Sequence, residues 1–159
     1  MDQRKFLWAG LFALLSLFIS SQLFAQEDVF KKRKDFMNGN YDALKAIKRA
    51  VPEKDYAAIE IKAKDLMGRM DKVLDLFPKG STSEDSRAKP EIWEKWDEFS
   101  KIPAKVKTAA GDLAKAAAAR DEAQVQVKFK DLGSESPFRS GACYECHKAF
   151  LKEKQKSGG

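Results

Sequence analysis

The stretch Tyr56–Phe77, YAAIEIKAKDLMGRMDKVLDLF, places apolar side chains at Tyr56, Ile59, Ala63, Leu66/Met67, Met70, Val73/Leu74 and Phe77. Steps of three and four residues put all of them on one face of an α-helix. Pro78-Lys79-Gly80 ends the stripe, and STSEDSRAK (Ser81–Lys89) is a polar loop. Upstream, Val29/Phe30, Arg33, Met37, Tyr41, Leu44, Ile47 and Val51 repeat the same spacing, and Pro52 closes that segment. Downstream, Pro90 suits a first helical position, and a third stripe runs Ile92/Trp93, Trp96, Phe99, Ile102, Val106, Ala109/Ala110, Leu113 and Ala116/Ala117. Pro103 lies inside it and predicts a kink near Phe99 or Ser100. In the fourth stretch Val125, Val127 and Phe129 alternate as a strand would. Val125, Phe129 and Leu132 also fit a helix, and a lone strand has no partner here, so helix is preferred. Gly133-Ser134 reads as its end. Ser136-Pro137 reads as the cap and first turn of a further helix carrying Phe138, Ala142, Cys146, Ala149 and Phe150. Amphipathic helices joined by short loops predict an all-α, up-and-down antiparallel four-helix bundle.

Composition agrees. Of 159 residues, 43% are hydrophobic and 34% charged, which excludes a polytopic membrane protein and a disordered tail. Two cysteines exclude a disulfide-dense scaffold, and few Pro and Gly favour helix over an all-β fold. The first residues form a separate regime. Arg4 and Lys5 precede FLWAGLFALLSLFISSQLFA (Phe6–Ala25), and no further charge follows until Glu27. This predicts a secretory signal at residues 1–25 and a mature domain at 26–159, with an uncleaved anchor as the competing reading.

Both cysteines and the only histidine share one window, Cys143-Tyr144-Glu145-Cys146-His147. CxxCH is the pattern of covalent haem attachment. Two thiols one helical turn apart can add to two vinyl groups on one porphyrin edge, and His147 then supplies an imidazole to the iron. Three other readings compete. A redox dithiol lacks a βαβ context, structural zinc lacks a fourth ligand, and a disulfide between residues three apart on a helix is strained.

With RKDFM (Arg33–Met37), SRAKPEIW (Ser86–Trp93) and CYECH in this order, the chain resembles the class II c-type cytochromes, the cytochrome c′ family. The resemblance implies one covalent haem c per chain near the C-terminal helix, with Cys143 and Cys146 as thioether positions and His147 as the proximal iron ligand. It places Arg33 on a haem propionate, Met37 opposite His147, and Arg87 near the haem edge. Arg33 and Met37 do share a helix face, and an Arg on an apolar stripe calls for an anion. The alternatives are a solvated charge for Arg33 and plain core packing for Met37. Met67 and Met70 read as core, and Trp93, Trp96 and Phe99 as core and pocket wall. Two departures stand out. Leu151 occupies a position where the family often has a basic residue, and nine residues separate Gly133 from Cys143, several more than the family's pattern.

The expected function is an exported, periplasmic electron-transfer cytochrome with His147/Met37 ligation, since thioether sulfur is a soft ligand for iron. The rival is a five-coordinate haem that binds nitric oxide or carbon monoxide. No enzyme is expected, because no second histidine exists to act as acid or base. The net charge of +6, with acidic residues interleaved, reads as a surface steering the protein to acidic redox partners and not to nucleic acid. A homodimer is a family expectation.

Overall fold

The computed structural model describes residues 29–82, 86–133 and 140–153. The expected signal at 1–25 lies outside them. Among the described residues no helix is long and apolar enough to cross a membrane.

Helix α1 covers residues 29–50 and α2 covers Tyr56–Arg69. The chain turns between them through Lys54, whose φ of 53° is left-handed, and Asp55 then caps α2 by accepting from the Ala58 amide at 3.0 Å. After α2 the stripe continues as two 3₁₀ turns, Met70–Lys72 and Leu74–Leu76, before Pro78. The third stripe is broken twice, into α3 (Glu91–Glu94), α4 (Trp96–Phe99) and α5 (Ile102–Ala118). The expected single kinked helix is therefore corrected. Lys95 leaves helical geometry (φ −113°, ψ 42°), and Pro103, which has no N–H to donate, sits in the first turn of α5 and starts it.

Helix α6 (Glu122–Leu132) repeats the turn used before α2. Arg120 has φ 52°, and Asp121 accepts from the Gln124 amide at 3.0 Å. Val125, Phe129 and Leu132 are buried while Val127 is 49% exposed, so the helical period prevails over the alternating one. Helix α7 (Gly141–Phe150) begins after an extended Ser140, and the Ser136-Pro137 start that the sequence predicts falls outside the described residues. Residues 134–139 lie outside the described part.

Contacts between turns set the topology. Lys54 and Glu122 meet at 2.7 Å, which puts the α1–α2 and α5–α6 turns at one end. Lys107 near the start of α5 reaches Asp71 at 2.6 Å, and Lys105 reaches Glu145 on α7 at 2.9 Å, both toward the other end. Together α6 and α7 thus form the fourth, split member of an antiparallel four-helix bundle. Helices α2 and α5 pack extensively on each other, with Ala63, Ala110 and Gly111 letting the backbones come close; a Cβ on Gly111 would stand 3.3 Å from Met67 Sδ. Ile47, Ile59, Leu66, Leu113 and Leu132 fill the centre.

Candidate functional site

Cys143 and Cys146 lie one turn apart on α7 and pack against the buried core. Both thiols are free, so the disulfide reading is not realised. Burial pushes Cys143 up to about 11; burial, with a smaller contribution from Cys143, pushes Cys146 up to about 12. Both are therefore neutral thiols at physiological pH, on one helix face, which is the donor set a divinyl edge requires. Among the described residues no cluster of three His, Cys, Asp or Glu is arranged to hold a metal ion. His147 is half-buried in the last turn of α7, and its carbonyl accepts from the Leu151 amide at 3.1 Å.

The end of α7 is clasped. Residues 87–89 run antiparallel to 150–152, with an isolated bridge between Ala88 and Leu151. The Lys89 amide donates to Phe150 O at 2.9 Å and the Lys152 amide to Arg87 O at 2.7 Å. Arg87 closes it, Nη2 and Nε donating to Lys152 O at 2.8 and 3.2 Å. Leu151 is the apolar partner in this bridge, a role for which a basic side chain is not needed. Phe150 anchors the clasp edge-on to Phe99 at 5.4 Å, and Phe99 in turn meets Phe77 at 4.8 Å.

Arg33 is only 7% exposed, which sets aside the solvated-charge reading. Its guanidinium donates to Leu76 O (2.8 and 3.0 Å), Ser81 O (3.2 and 3.3 Å), Ser81 Oγ (2.7 Å) and Ser86 Oγ (3.3 Å). The Phe77 ring lies 4.2 Å away. These donors thus meet neutral oxygens of the loop that follows α2. Burial lowers its pKa to about 10, so it stays charged at neutral pH. Ser81 and Ser86 carry no periodic signal in the sequence; only their burial beside Arg33 marks them.

Met37, one turn after Arg33, is half-buried against the core, and its Sδ lies 4.0 Å from Asn40 Nδ2. Met70 is core as expected, while Trp96 is 36% exposed, which corrects its reading as core or pocket wall: the break at Lys95 turns it outward. Trp93 is half-buried, its indole donating to Pro78 O at 2.9 Å.

A sequence model of the family described as cytochrome C′ matches residues 28–151. The chain belongs to the cytochrome c′ family. A cytochrome c-556 of Agrobacterium fabrum is 32% identical over 127 residues, covering 78% of this chain and 81% of that protein. A cytochrome c-554 of Cereibacter sphaeroides is 40% identical over 82 residues, 50% of this chain; the match spans only 48% of that relative. A cytochrome c prime of Alcaligenes xylosoxidans, solved as a ferrous variant with bound nitric oxide, shares the fold at 23% identity and a TM-score of 0.69, covering 81% of this chain and 97% of that one. As a cytochrome c′ the protein carries a covalent haem c, and Cys143 and Cys146 fit the CxxCH motif that holds it.

Proposed function

We propose that this cytochrome c′ is an exported, non-enzymatic protein that binds small gases such as nitric oxide or carbon monoxide on the side of the haem opposite His147. This is the rival of the electron-transfer reading drawn from the sequence. The observation that carries it is the Met37 sulfur, which takes the amide hydrogen of Asn40 at 4.0 Å and so is engaged within its own helix. The nitric oxide bound to the Alcaligenes protein supports the ligand class. The haem, when bound, supplies the iron that takes the gas.

The chain's own residues do the rest. Cys143 and Cys146 would hold the haem through thioethers, each thiol adding across one vinyl group with its proton going to the neighbouring carbon, and His147 would offer a ring nitrogen to the iron. Met37 would lie toward the gas-binding side, and Phe99 and Phe150 hold the helix that carries CYECH against the bundle. Export rests on the apolar run Phe6–Ala25.

The second reading, Met37/His147 ligation with electron transfer to redox partners, is favoured by one feature: Met37 packs against the same core as Cys143 and Cys146. Oxidised and reduced visible spectra separate the two. A high-spin oxidised form that takes up carbon monoxide on reduction supports gas binding. A low-spin form with a weak charge-transfer band at the red end, lost in Met37→Ala, supports electron transfer. In either case the Soret band survives acid-acetone extraction of the denatured protein, because thioethers do not dissociate.

A further inference from the structure

Arg69 closes α2 but lies across α1. Its guanidinium stacks 4.8 Å from the Phe36 ring centroid, its Nη2 donates to Phe36 O at 2.9 Å, and its Nε donates to Asn40 Oδ1 at 2.6 Å. Gly39 makes the seat: a Cβ there would collide with Arg69 Nη2 and stand 3.0 Å from Cζ. A guanidinium has donors only, so it selects the oxygen end of the Asn40 amide. The NH₂ end is thereby turned away from Arg69, and it is this end that faces Met37 Sδ. Three features independent of the sulfur contact, namely the ring stack, the paired hydrogen bonds and the glycine notch, fix the guanidinium over residues 36–40.

We infer that Arg69, seated over Gly39, is a positioning residue that holds the Asn40 amide on the Met37 sulfur and keeps that thioether from binding iron. The inference rests on the gas-binding reading above. An N–H···S contact is weak, but methionine has three soft torsions, so even with its stem packed on the core a modest restraint decides where the sulfur sits. A restraint of ordinary hydrogen-bond strength shifts the bound fraction of such a sulfur by about threefold to tenfold. The arrangement makes the choice between gas binding and Met ligation a property of α1 and α2 together, although Met37 lies on α1 alone.

The test uses the haem-loaded full chain and reads the oxidised spin state and the carbon monoxide association rate of the reduced form. The native spectrum comes first. If native protein is already low-spin with the Met charge-transfer band, the gas-binding reading fails and this inference falls with it. With a high-spin native protein, Asn40→Leu, Arg69→Leu and Gly39→Ala are each expected to raise the low-spin fraction about threefold to tenfold and to slow carbon monoxide association. Arg69→Lys, which keeps a cation but loses the paired donors, is expected to fall between. A Met37→Leu background should abolish the low-spin signal in every case. Variants that stay high-spin with native association rates overturn the inference while leaving the gas-binding reading intact. So does a low-spin signal that persists without Met37. Should Gly39→Ala fail to fold, Asn40→Leu decides, since it removes the amide and leaves the notch untouched.

Discussion

Two glycines with opposite roles show how much one hydrogen-to-methyl exchange can mean here. Gly141 has φ +75°, and a Cβ there would stand 2.5 Å from Gly133 N and 2.7 Å from Asp131 O. Gly141→Ala combines left-handed strain with a backbone clash and is expected to cost about 2–3 kcal/mol in urea unfolding. Gly68, exposed inside α2 with nothing within 4 Å of a new Cβ, behaves the other way; Gly68→Ala is expected to stabilise by about 0.5–1 kcal/mol in the same assay. Arg33 is a third case. Arg33→Ala leaves Leu76 O, Ser81 O and Ser81 Oγ without the buried donors of the guanidinium, and about 3 kcal/mol of stability should go with it. Arg33→Lys should recover less than half of this, because an ammonium cannot reproduce the fork.

At the level of elements, the haem-bearing helix is held at both ends by backbone. At its start, Gly141 packs against Gly133. At its end, the clasp of residues 87–89 supplies donors to carbonyls that an isolated helix would leave to water. Arg87→Ala should raise amide exchange at Leu151 and Lys152 by about tenfold or more, because the bond it removes is charge-assisted. Exchange in the middle of α5 should stay at its native rate. A uniform rise over both helices would mean that the clasp is part of global unfolding and not a local restraint.

Across the whole molecule, the ion pairs that link the turns are exposed and contribute little to stability, so the bundle rests on its apolar centre. The net charge of +6 acts instead at a distance. Association with an acidic partner should slow as ionic strength rises from about 10 to 150 mM, as screening shortens its reach from roughly 30 to 8 Å; stopped-flow rates at several salt concentrations measure it. The bundle itself was legible because helical periodicity is local: Ile59, Leu66, Ile47 and Leu113 declare their faces through neighbours three and four residues away. CYECH was legible for the same reason, as the chemistry needs two thiols and an imidazole within five consecutive residues. The break near Ser100 was announced by Pro103, but the one at Lys95 was not, since a continuous stripe is compatible with several short helices and only packing chooses among them. Arg33 shows the limit most plainly. Its place on an apolar stripe predicted a partner, but the partners, Leu76, Ser81 and Ser86, lie more than forty residues away in a loop without periodicity. Arg69 and Asn40, on different helices, are brought together in the same way. Sequence alone determined most of what each helix buries, Trp96 and Tyr41 excepted, and where the CxxCH motif lies. Which polar groups meet across the helices, and with them the freedom of Met37, was decided by the tertiary structure, because such pairs form only when packing brings distant segments within hydrogen-bond reach.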